Sequence, residues 1–130
     1  MYRPIHFEIH AADVARARQF YADVFGWTFE DYSEYAGMPY LGATTGTSEG
    51  GINGAIMQRH GDNPEPGAGV QGAVLTLGVD DLDAVLARAL DSGAAVAMPK
   101  YALPGMAWQA YLIDTEGNVL GLHQPDENAA

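Results

Sequence analysis

The stretch HFEIHAADVARARQFYADVFGW, residues 6–27, decides the fold of this chain. Just before and within it, Ile5, Phe7 and Ile9 alternate with His6, Glu8 and His10, the period of a strand with one face turned to a core. Asp13 is placed to cap a helix by accepting a bond from an orphan amide of the first turn. Val14, Ala17, Tyr21 and Val24 then recur at helical spacing, and Phe20 and Phe25 widen the stripe. Gly26 supplies a left-handed stop. The helix is expected to cover the Phe7/Ile9 face and to leave His6 and Glu8 on the other.

The same plan returns in VLTLGVDDLDAVLARALDSG, residues 74–93. His6 matches Val74, Asp13 matches Asp81 and Ala17 matches Val85, always 68 residues apart. A strand–helix unit repeated once predicts two pseudo-symmetric modules. In the first module, strands are expected over 27–35, 38–45 and 52–58. RHGDNPEPGAG, residues 59–69, is rich in Gly and Pro and reads as a linker. In the second module, strands are expected over 71–79, 94–98, 106–114 and 119–124, with Lys100 and Tyr101 in a loop and TEGN as a tight turn. The fold class is thus α+β, with two βαβββ modules in one domain over residues 1–130. Module one spans 1–58, the linker 59–70 and module two 71–125. Residues 126–130 are expected to fray.

Composition narrows the function. The chain has 130 residues, 48% hydrophobic and 18% charged, enough for a single packed core. It has no cysteine, which removes thiolate metal sites and thiol nucleophiles. A net charge of -11 with only six Lys and Arg argues against nucleic acid or anionic lipid as partner. No run approaches the ~18 apolar residues of a membrane span, and the N-terminus lacks a signal-peptide layout, so a cytoplasmic location is expected.

The HFEIHAAD and FYADVFGW runs, VDDLDAVLARALDSGA, and the terminal YLIDTEGNVLGLHQP together resemble the vicinal oxygen chelate superfamily. That superfamily includes glyoxalase I, bleomycin-resistance proteins and extradiol dioxygenases. The resemblance is greatest to its small glyoxalase-related group. It implies a cupped mixed sheet with helices outside, commonly assembled as a homodimer, holding a divalent metal on the concave face. Carried over by position, the ligands fall on His6, Val74, Gly121 and either Gly54 or Ala55. Only His6 can ligate. A lone imidazole does not hold a divalent ion that wants three or more protein ligands, so no cofactor is expected. A divalent metal stays possible only at a displaced site of His6, Glu8 and His123, if the first and last strands approach each other.

Without a metal, His6 and Glu8 are candidates for an acid–base pair. Tyr40, Tyr101, Trp108, Tyr111 and His123 are candidates to line a small-molecule pocket, with Trp108 and Tyr111 on opposite faces of their strand. Three functions remain open on the sequence. One is a glyoxalase-like protein that binds a small organic molecule in the cup, as enzyme or not. The second is a metal-dependent lyase or dioxygenase-like enzyme using the displaced site. The third is a metal-free drug-binding resistance protein or a structural module.

Overall fold

The computed structural model describes all of residues 1–130. The chain forms two compact units: His6–Ala73, and Met1–Ile5 with Val74–Ala130. The first few residues join the second-half unit through the Gly78 amide, which donates to the Arg3 carbonyl.

The first unit is built from β1 (Pro4–Ala11) from His6 onward, α1 (Val14–Phe25), β2 (Thr28–Asp31), α2 (Ser33–Ala36), β3 (Tyr40–Thr44) and β4 (Gly54–Gln58). β1 runs parallel to β4, β4 antiparallel to β3, and β3 antiparallel to β2. Asp13 caps α1 as its spacing predicts, its carboxylate accepting from the Arg16 amide, and Gly26 closes the helix at a φ of 73°. Ala11, Val14 and Ile56 are buried together, with Ile9, Ala17, Tyr21, Phe29 and Leu41 packed around them. The helix therefore covers the Ile9 face of β1, and His6 and Glu8 lie on the other face.

The second unit has β5 (Ala73–Gly78), α3 (Leu82–Asp91), β6 (Ala95–Leu103), β7 (Ala107–Ile113) and β8 (Val119–Pro125). β5 runs parallel to β8, β8 antiparallel to β7, and β7 antiparallel to β6. Asp81 caps α3 in the way Asp13 caps α1. The core is Val79, Leu82, Ala110, Leu112 and Leu122, with Trp108 among the residues packed on it. Register makes the repeat concrete. Glu8 opposes Ala55 as Thr76 opposes Gly121, and Tyr40 opposes Met57 as Gln109 opposes His123. Ala55, rather than Gly54, is the first-unit counterpart of Gly121.

Four expectations need correction. The strand expected over 27–35 stops at Asp31, because the Asp31 carboxylate accepts from the Ser33 amide and starts the short helix α2. Lys100 and Tyr101 lie within β6, where irregular pairing on either side of Met98 lets the strand continue past Pro99. The last residues are not frayed. Gly105 donates to the Ala129 carbonyl, Asp126 to that of Met106, and Ala129 is buried. Finally, Phe20, Val24 and Phe25 are more than half exposed and do not extend the buried stripe of α1. Phe20, Tyr21, Phe25 and Trp27 instead pack on one another, with Tyr21 and Trp27 stacked 4.8 Å apart.

Candidate functional site

The strand alternation that sets Ile9 into the core turns Glu8 onto the opposite face, yet Glu8 is only 5% exposed. A carboxylate so enclosed needs partners, since burying a charge without them is costly. The Tyr40 hydroxyl, brought alongside by β3, donates to Glu8 Oε2 at 2.8 Å. The same hydroxyl lies 3.0 Å from His6 Nε2. Tyr40 sits in the register row of Met57 and His10, with the small Ala55 in the next row beside Glu8, so its long side chain can lean along the face toward both partners. His6, Tyr40 and Glu8 thus form one continuous hydrogen-bonded chain within the first unit. Sequence spacing pairs His6 with Glu8. It does not foresee Tyr40 as the link, because the β3–β4–β1 register is what joins residues so far apart in sequence.

Electrostatics fit this arrangement. Burial pulls the His6 pKa below the usual histidine value, and the neighbouring Glu8 charge opposes that only in part. His10 is lowered too, first by burial and then by Arg59 and His60, against the pull of Glu8. The folded chain thus resists protonating both rings, while the unfolded chain protonates them near pH 6.5. Lowering the pH from 7.5 through 6.5 should therefore destabilise the fold, because the unfolded state binds more protons. Unfolding midpoints measured between pH 7.5 and 5.5 should fall, and the slope should flatten in a His6→Gln, His10→Gln double variant. An unchanged slope would remove the two histidines as its cause.

The second unit carries different groups at the equivalent positions. Thr76 stands where Glu8 stands and Gln109 where Tyr40 stands, and both are buried. Gln109 Oε1 lies 2.9 Å from His123 Nδ1, and because an amide oxygen only accepts, the ring donates. The Thr76 hydroxyl is buried without a partner and leans over Gly121. An orphaned hydroxyl costs stability, so Thr76→Val should stabilise the chain by about 1 kcal/mol, read as a small rise in unfolding midpoint. A drop instead would mean that the hydroxyl has a partner in solution.

The remaining aromatic candidates separate by face. Tyr101 opposes Gln109 and Tyr111 opposes Gly121, so both share the Gln109 face of their unit. Trp108 turns to the α3 core, where Lys100 lies 4.6 Å over its ring and its indole nitrogen donates to Asp126. Trp108 is therefore a packing residue that secures the chain's end, not a wall of the Gln109 face. An open groove of about 850 Å³ lies on the helix side of the first unit, between α1 and β2–β3. It is far from suitable as the site: Asp13 is spent on its cap, Asp31 on the Ser33 amide, and His6, Tyr40 and Glu8 do not line it.

The superfamily's metal does not fit these residues. Val74 and Ala55 have no donor atom, and Gly121 has no side chain. A Cβ at Gly121 would meet Thr76 Oγ1 at 2.6 Å and Gln109 Nε2 at 3.2 Å, so neighbouring side chains already fill that ligand's place. No three His, Asp or Glu side chains are gathered as a metal shell. His6 and Glu8 belong to one unit and His123 to the other.

Comparisons with known proteins agree with this fold. Residues 3–39 match the family described as bleomycin resistance protein-like N-terminal. The glyoxylase-type protein CFP32 of Mycobacterium bovis is 27% identical over 124 residues, as is that of Mycobacterium tuberculosis. The match covers 93% of this chain but 45% of CFP32, so the chain spans less than half the length of these relatives. Among solved structures, a methylmalonyl-CoA epimerase variant of Streptomyces coelicolor, in complex with 2-nitronate-propionyl-CoA, aligns with a TM-score of 0.62 at 22% identity, covering 98% of both chains. A glyoxalase/bleomycin resistance protein/dioxygenase superfamily member from Vibrio splendidus aligns with a TM-score of 0.62 at 17% identity, covering 95% of this chain and 99% of that one. The chain thus shares the fold of a glyoxalase/bleomycin resistance protein/dioxygenase superfamily structure, and its residues 3–39 are similar to the N-terminal part of bleomycin-resistance-type proteins.

Proposed function

We propose that this chain binds a small organic molecule at the His6–Tyr40–Glu8 face of its first unit, without the superfamily's usual divalent metal. The observation that supports this most is the part-buried hydrogen-bonded chain of those three side chains around the buried Glu8, together with ligand positions whose residues cannot coordinate. A buried carboxylate, a phenol and a neutral imidazole give a pocket polar groups that orient a ligand. In such a site the His6–Glu8 pair serves proton transfer and Tyr40 supplies a ligand contact, while Tyr101, Tyr111 and His123 stay candidates for ligand contact on the second unit taken by itself. A coenzyme A ester, such as the Streptomyces epimerase variant holds, suits this chain poorly: its phosphates call for basic residues, and only six Lys and Arg are present.

A second reading is favoured by the bleomycin-resistance match and by the net charge of -11: sequestration of a cationic aromatic compound. The proposed functional form is a cytoplasmic homodimer, which light scattering on the purified chain would test.

Metal analysis of protein prepared without a His-tag, before and after cobalt soaking, tests the metal-free reading. Stoichiometric cobalt that disappears in His6→Ala would overturn it and restore the displaced metal site. Thermal-shift screening against small carbonyl compounds and cationic aromatics tests ligand binding. Shifts confined to the cationic aromatics favour sequestration, and a flat response to both sets counts against either reading.

A further inference from the structure

The hydrogen atoms of the His6–Tyr40–Glu8 chain can be assigned by counting donors. An ionised carboxylate only accepts, so the single hydroxyl hydrogen of Tyr40 is committed to Glu8. Tyr40 oxygen then faces His6 Nε2 as an acceptor, at 3.0 Å, and the hydrogen between them must come from the ring. In a neutral imidazole that leaves Nδ1 as the nitrogen with the lone pair. No protein group bonds to Nδ1, and His6 is only partly buried.

We infer that Tyr40 holds His6 as its Nε2–H tautomer, making Nδ1 the nitrogen that takes a proton from a weakly acidic O–H, N–H or activated C–H group of the ligand. This deepens the reading of the same site given above and rests on it. In the forward step the ligand's X–H bond breaks, an Nδ1–H bond forms, and the electron pair stays on X. The imidazolium so made is faced through the Tyr40 hydroxyl by the Glu8 carboxylate, a charge-assisted arrangement that favours the protonated ring. The reverse step returns the proton, so no oxidant, reductant or leaving group is needed. Tyr40 acts through His6 and is a positioning residue. Burial keeps the resting ring neutral, as a base requires.

The test needs no ligand. Long-range 1H–15N correlation spectra of the 15N-labelled full chain at pH 7.5 report the tautomer of each histidine, and the His6 signals are assigned by their loss in His6→Gln. His6 should show a protonated Nε2 and an unprotonated Nδ1. Tyr40→Phe removes the acceptor but keeps the ring, so the His6 signals should move toward the averaged pattern of mixed tautomers. A protonated Nδ1 in the wild type, or an unchanged His6 pattern in a folded Tyr40→Phe, would overturn the inference. Should Tyr40→Phe not fold, diethyl pyrocarbonate on the wild type decides. Its carbonyl should be attacked by His6 Nδ1, with ethyl carbonate leaving, and mass spectrometry should find the adduct. A His6 that stays unmodified while the exposed His60 reacts would overturn the inference. A flat ligand screen with the expected tautomer removes the binding reading alone, whereas ligand binding with the wrong tautomer removes only this one.

Discussion

Gly54→Ala is expected to lower the unfolding midpoint by about 6–10 °C, although it adds one methyl group. Gly54 opposes Phe7 in the parallel β1–β4 pair. A Cβ there would overlap the Phe7 carbonyl oxygen and lie 2.6 Å from two carbons of its ring. The ring could turn, but it packs 5.5 Å from Trp27 in the aromatic cluster, and the carbonyl is backbone. Relief therefore requires β1 and β4 to separate locally. Alanine restricts the unfolded chain and regains under ~1 kcal/mol, against a typical overpacking cost of about 3 kcal/mol. At roughly 3–5 °C per kcal/mol for a chain of this size, the fall should be plain in a calorimetric scan. The same shift of β1 would displace His6 and Glu8, so the tautomer signature of His6 should weaken as well. A midpoint within 2 °C of wild type would mean that the β1–β4 register is not the one described.

The β1–α1 stretch was legible because strand alternation, an aspartate cap and a glycine stop agree on one answer across it, and the spacing of 68 residues carries that answer to β5–α3. Tyr32 to Ala36 was not legible: a strand pattern and a carboxylate-capped turn compete there, and the local bond from the Ser33 amide to Asp31 wins. The end of the chain looked free because its sequence is short and polar. Its anchors lie in β7, at the Trp108 indole, and around Gly105 and Met106, where no local signal points. Within the site, the resemblance points to His6, and alternation sets Glu8 on the same strand face. Tyr40, Thr76 and Gln109 take their meaning only from cross-strand register, which a single sequence does not reveal. The pattern of α1 also misled at Phe20, Val24 and Phe25: period predicts burial, but Val24 stays exposed and the two rings pack in an aromatic cluster with Tyr21 and Trp27.

Gly121→Glu puts back the carboxylate that the superfamily's pattern places in the final strand, and it should destabilise the chain without recruiting a metal. The new Cβ would sit 2.6 Å from the Thr76 hydroxyl and 3.2 Å from both Gln109 Nε2 and Tyr111 Cε1. Thr76 can rotate, so Gly121→Ala alone should cost the smaller share, about 1–2 kcal/mol. The rest comes from the charge. The surrounding residues, Thr76, Gln109 and Tyr111, offer hydrogen bonds but no cation, and the chain as a whole has 17 acidic residues to six Lys and Arg. A buried carboxylate without a partner costs about 3–5 kcal/mol, or takes up a proton to avoid it. The loss should therefore be largest near pH 7.5 and shrink as the pH falls toward the raised pKa of the introduced group, a trend opposite to that set by His6 and His10. Thr76→Ala in the same chain should recover the steric part and leave the pH-dependent part. Cobalt should still bind weakly or not at all, because Val74 and Ala55 supply no donors. Tight cobalt binding by Gly121→Glu would show instead that this one glycine is all that separates the chain from a metal centre.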